Sequence, residues 1–168
     1  MFKITTKKLV FIAIMTALGV VLKSFLSIGN GDFRISFWNI PLFIAGMVTG
    51  PLYGGLCALG ADLIYGLCFS PFPFSIIMTI SCVTWGLFGG LLYKKEVKIV
   101  PLVIMILINC LFETFINSLY LWTYYQNLAT VFIKLPVRLI VQLIRCPISV
   151  ILIYTINKTV LRPLSLKD

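Results

Sequence analysis

Residues 34–62 read RISFWNIPLFIAGMVTGPLYGGLCALGAD. Arg34 and Asp62 are the only charges, with 27 uncharged residues between them. Pro41, Pro51 and glycines at 46, 50, 54, 55 and 60 interrupt what would otherwise be plain hydrophobic helix. A segment that only anchored a chain in a bilayer has no use for such breaks, because Gly and Pro both weaken a helix interior. The stretch reads as a short helix, a tight Gly50-Pro51 turn and a second helix. Together they form one wall of a small-molecule site inside a helix bundle.

The whole chain fits that setting. Its 168 residues are 60% hydrophobic and 11% charged, with a mean hydropathy of +1.07. Soluble domains are about 25% charged. A spanning helix needs about 20 apolar residues, so a bundle of such helices uses almost the entire chain as a single transmembrane domain. The expected class is therefore all-α integral membrane, a six-transmembrane-helix bundle. Its spans are placed near 9–26, 38–49, 52–69, 75–93, 99–120 and 135–161. Between spans 5 and 6 a loop is expected around residues 126–133.

The net charge of +9 is gathered in three places. Lys3, Lys7 and Lys8 open the chain, Lys94, Lys95 and Lys98 stand at its middle, and Lys158, Arg162 and Lys167 close it. Six crossings put all three clusters on one side. The excess of Lys and Arg makes that side cytoplasmic, so both termini are expected there. The clusters flank apolar spans and form no stripe, which argues against a nucleic-acid surface. The five cysteines lie in apolar stretches without CxxC spacing and read as small hydrophobes. There is no histidine, P-loop, HExxH or GxSxG, so neither catalysis nor a metal or other cofactor is implied.

Four charges are read as lying well inside spans: Asp62, Glu113, Arg138 and Arg145. Each is costly in hydrocarbon unless paired or wetted. Arg138, Gln142 and Arg145 share one face of span 6, Asn109, Glu113, Asn117 and Tyr120 one face of span 5, and Gly55, Ala58, Asp62 and Tyr65 one face of span 3. Three polar faces on three helices are expected to converge in the bundle interior. These groups can simply satisfy one another. However, the two guanidiniums and three amides exceed what two carboxylates need, and a ligand bearing carboxylates absorbs the surplus. Phe37, Trp38, Tyr65, Phe72, Phe74 and Trp85 are placed near the outer half as aromatic surface for such a ligand. Ala13 and Ala17, four apart on span 1, and the glycines at 46, 50, 54, 86 and 90 allow close helix approach. Span 1 is read as free of internal charge, so its alanine face either packs within the chain or meets another protein.

Taken together, the Arg34-Ile35-Ser36-Phe37 run with Pro41, the Gly46, Gly50-Pro51, Gly54, Gly60 and Asp62 series, and Leu135-Pro136-Val137-Arg138-Leu139-Ile140 with Pro147 resemble a known family. It is that of the substrate-binding (S) components of energy-coupling factor (ECF) vitamin transporters, and the likeness is strongest to the folate-specific branch. Ala13-xxx-Ala17 matches that family's docking motif. The resemblance implies a cell-membrane protein that binds a vitamin from outside with high affinity. It then delivers the vitamin with a transmembrane coupling (T) subunit and two ATPase subunits, which hydrolyse the ATP. On this reading Arg34, Phe37, Trp38, Asp62, Tyr65, Phe72, Asn117, Arg138, Gln142 and Arg145 bind substrate, Ala13 and Ala17 dock the partner, and loop 27–37 is a lid. Other S components take pantothenate, pyrimidines or related vitamins. A membrane enzyme using Asp62 or Glu113, and a non-catalytic scaffold subunit, are the remaining alternatives.

Overall fold

The computed structural model describes residues 6–27, 36–70, 73–93, 97–126 and 128–161. Among these lie six α-helices: α1 (Thr6–Ser24), α2 (Asn39–Thr49), α3 (Pro51–Cys68), α4 (Ile76–Gly90), α5 (Ile99–Tyr125) and α6 (Leu128–Ile156). A short π-helical turn, Asn157–Leu161, continues α6. Most of the expected lid and turn at 27–37, Phe72 and most of the basic 94–98 run lie outside the described residues.

The centre of the bundle is α2. All but one of its residues are buried, and it packs against α1, α3, α4 and α6. The other neighbours are α1 with α3, α3 with α4, α4 with α5, and α5 with α6. Glycine makes the middle of this arrangement. A Cβ built on Gly46 would overlap the Gly86 carbonyl, one on Gly54 would overlap the Gly46 Cα, and one on Gly86 would overlap the Gly54 carbonyl. The backbones of α2, α3 and α4 therefore touch directly, the close approach that small residues permit in membranes. At the turn, Gly50 has φ +100°, a conformation that side chains rarely adopt. Pro51 then takes the first position of α3, where its missing N–H is not needed.

The helices are of unequal length. At about 1.5 Å rise per residue, the 11 residues of α2 reach only partway through a hydrocarbon core about 30 Å thick. By length and composition the helices able to cross are α3, α5 and α6, while α2 and α4 are shorter apolar helices. With 19 residues α1 is long enough, but Lys7, Lys8 and Lys23 fall within it.

The clearest departure from the sequence reading is at the α5–α6 junction. Instead of a loop over 126–133, α5 runs on to Tyr125, Gln126 caps it in the left-handed region (φ 50°), and α6 begins at Leu128. A proline normally marks a helix boundary, but Pro136 and Pro147 both lie inside α6. Membrane helices tolerate this because neighbouring groups re-satisfy the freed carbonyls.

Candidate functional site

A cavity of about 390 Å³ lies between α3, α5 and α6, with contributions from the ends of α1, α2 and α4. The three polar faces converge on it: Asp62 and Tyr65 from α3, Glu113, Asn117 and Tyr120 from α5, and Arg138, Gln142 and Arg145 from α6. Helical spacing explains the grouping, because residues three, four and seven apart share a face. Asn109, one turn below Glu113, is fully buried beneath the site and does not line it.

Among the described residues, two ion pairs organise the walls. Asp62 accepts from Lys23 Nζ at 2.5 Å on one oxygen and from Thr79 Oγ1 at 2.8 Å on the other. The Lys23 ammonium also stands over two rings, 4.8 Å from the Trp38 centroid and 4.5 Å from that of Tyr65, within the range of a cation–π contact. Deeper, Arg145 Nη2 donates to Glu113 Oε2. The indole N–H of Trp85 donates to the same oxygen at 3.2 Å. Both contacts fall on one oxygen of Glu113, and Arg145 Nε, Gln142 Oε1 and Ser81 Oγ are buried at the cavity without a hydrogen-bond partner. Among the described residues, Lys23, Arg138 and Arg145 against Asp62 and Glu113 make three cations to two anions, a formal +1 on the described lining. The arrangement can pair with an anionic ligand and offers donors and acceptors to a polar edge.

The residues expected at a site divide as follows. Trp38, Asp62, Tyr65, Asn117, Arg138, Gln142 and Arg145 line the cavity. Phe37 does not; it packs half-buried against the apolar core beside α2. Arg34 and Phe72 lie outside the described residues. Of the two further aromatics, Phe74 lines the cavity, whereas Trp85 is fully buried behind it, edge-on to Phe43 at 6.2 Å. Trp85 is thus a support for Glu113 and offers no stacking surface. Ala13 and Ala17 are exposed on the face of α1 that looks away from the bundle.

Lys23 was the missed residue. The reading of the first span as uncharged is corrected here: Lys23 is the α1 side chain at the cavity, and with it Asp62 pairs with neither arginine. A signal was present, because Thr16, Gly19 and Lys23 lie at helical spacing on the side of α1 that meets α3. Thr16 Oγ1 is 3.1 Å from Cys57 Sγ, and Gly19 faces Leu42 and Ala61. The sequence places Glu113 inside span 5 but not among the binding residues, and Tyr120, from that same polar face, stacks with Tyr124 at the cavity with ring centroids 5.8 Å apart.

Comparison with known proteins decides the family. Residues 7–157 match the family described as ECF transporter, substrate-specific component. The chain belongs to that family. Members are substrate-specific subunits of a transporter rather than enzymes, and the chain is accordingly a membrane protein that carries a ligand site without catalytic machinery. Among relatives of this S component is the folate transporter FolT of Clostridium novyi (strain NT), 29% identical over 151 residues that cover 87% of this chain and 85% of that one. Among solved structures, a FolT bound with folic acid has a TM-score of 0.84 and 28% identity, covering 94% of this chain and 96% of that chain. The S component for biotin from an ECF-type transporter has a TM-score of 0.70 at 20% identity over the same shares of the two chains, and so shares the fold.

Proposed function

We propose that this S component binds folate from outside the cell and delivers it across the cell membrane with a T subunit and two ATPase subunits. The observation that carries the reading is the cavity between α3, α5 and α6. It combines aromatic rings, amides and, among the described residues, a formal +1, in a fold shared with a FolT bound with folic acid. A pterin is flat and heteroaromatic, with a donor-and-acceptor edge, and folate ends in carboxylates. Asp62, Asn117 and Gln142 are assigned to the edge, Tyr65 and Trp38 to the ring faces, and Arg138 and Arg145 to anionic or carbonyl oxygens.

The whole chain acts as one transmembrane unit with both termini cytoplasmic, a reading supported by the three basic clusters. The exposed Ala13 and Ala17 let the T subunit approach α1 closely. Equilibrium titration of purified protein in detergent, followed by tryptophan fluorescence, tests the ligand. Saturable folate binding is expected. Saturation by pantothenate or biotin instead, with none by folate, overturns the choice of vitamin.

A further inference from the structure

The site and the face of α1 that turns away from it meet in one residue. Among the described residues Lys23 is the α1 side chain that lines the cavity, and α1 otherwise rests on α2 and α3 through small groups. Gly19 packs on Leu42 and Ala61, Thr16 meets Cys57, and the Thr16 methyl lies near Gly60. On the other side of the same helix Leu9, Ala13, Ala17 and Val21 form an exposed stripe at four-residue spacing. Lys23 is carried in the last turn of α1, yet Asp62, Trp38 and Tyr65 hold its charge at the cavity wall. Its side chain is 16% exposed, so an anion in the cavity acts on it with little screening by bulk water.

We propose that Lys23 is the ligand-sensing residue of α1. An anionic group of the bound ligand draws on the Lys23 ammonium and fixes the end of α1 against Asp62, so that occupancy of the cavity changes the order of the helix that carries the alanine face. This rests on the folate reading above. The physical requirement is differential interaction: a ligand shifts a helix only through a contact that differs between the two states, and Lys23 is where α1 offers that contact. The intervening groups do not transmit the charge, because Gly19, Ala61 and Leu42 are apolar.

The test compares wild type with Lys23→Met, Lys23→Gln and Lys23→Arg, reading folate affinity together with amide hydrogen exchange along α1 in detergent. Wild type is expected to slow its exchange over residues 17–24 several-fold on adding folate. Lys23→Met is expected to lose that protection and to bind folate about tenfold more weakly, the effect of one charge-assisted contact. In the same variant, ligand protection of α5 and α6 persists. Lys23→Gln keeps a donor for Asp62 without the charge, and covers the case in which the unpaired carboxylate of Lys23→Met prevents folding. It is expected to behave as Lys23→Met does, while Lys23→Arg retains the α1 response. Undiminished α1 protection in a folded Lys23→Gln overturns the proposal alone. Absence of saturable folate binding by wild type overturns the folate reading and this proposal with it.

Discussion

Arg145 donates to Glu113 beneath the cavity, and both side chains are nearly sealed from solvent, at 5% and 6% exposure. Trp85 donates to the same carboxylate oxygen, so one carboxylate holds α4, α5 and α6 together. Removing one partner of a buried pair leaves an uncompensated charge, at about 3–5 kcal/mol. Glu113→Gln is therefore expected to lower thermal stability in detergent sharply. The double variant Glu113→Gln with Arg145→Gln should recover most of the loss. Equal melting temperatures for the single variant and wild type would show that the pair does not hold the helices.

The glycines of the α2–α3–α4 contact differ from those outside it. Gly46→Ala and Gly86→Ala place a methyl group where backbone atoms of the neighbouring helix already stand. Overpacking of this kind usually costs about 1–3 kcal/mol, and backbone gives way less readily than a side-chain tip. Both variants are expected to express poorly or melt early. Gly60→Ala meets only the Thr16 methyl at 3.8 Å, an ordinary contact. It should be neutral or raise stability by up to about 1 kcal/mol through helix propensity. The comparison is made by size-exclusion profiles after a heat step.

Arg138 sits at the cavity in the segment of α6 between its two prolines. If it meets an anionic group of the ligand, Arg138→Gln should weaken folate binding about 10–100-fold, the range for a hydrogen bond to a charged group. Arg138→Lys should restore only part of that, because an ammonium lacks the planar fork. Titration calorimetry of the three proteins reads the effect, and unchanged affinity in Arg138→Gln would remove Arg138 from the site.

Ala13→Trp and Ala17→Trp add bulk to a face of α1 that points away from the cavity. Folate binding by the purified subunit is expected to stay within about twofold, since no cavity contact changes. Uptake in cells that also contain the coupling and ATPase subunits should be lost. Joint loss of binding and uptake would place these alanines in the packed interior instead.

How far the sequence could be read depended on the kind of signal. The helices of the first half were legible because Gly and Pro punctuate long apolar runs. Pro41, Gly50 and Pro51 therefore marked α2 and α3 within a residue of their ends. The start of α6 was not legible. The rule that a proline ends a helix is learned in water, and Pro136 lies inside a helix whose neighbours are protein and lipid. Periodicity brought Asp62, Asn117, Arg138, Gln142 and Arg145 to one cavity correctly. It failed for Lys23, which stands one residue from the end of α1, where a lysine commonly extends toward the membrane surface. The choice between pairing partners was also hidden, since charge alone allows Asp62 to join either arginine and only the packing of α1 on α3 gives it Lys23.

The backbone contact among α2, α3 and α4 also sets how the protein meets its bilayer. Where main chains already touch, there is no free volume left to compress. The cavity side, between α3, α5 and α6, holds the empty space. Lateral pressure from the lipids is therefore expected to bear on that side first. A change of acyl-chain length should then alter the width of the ligand chamber while the glycine-packed block stays in place, which folate titration in bilayers of different chain length reads as a change of affinity without a change of melting temperature.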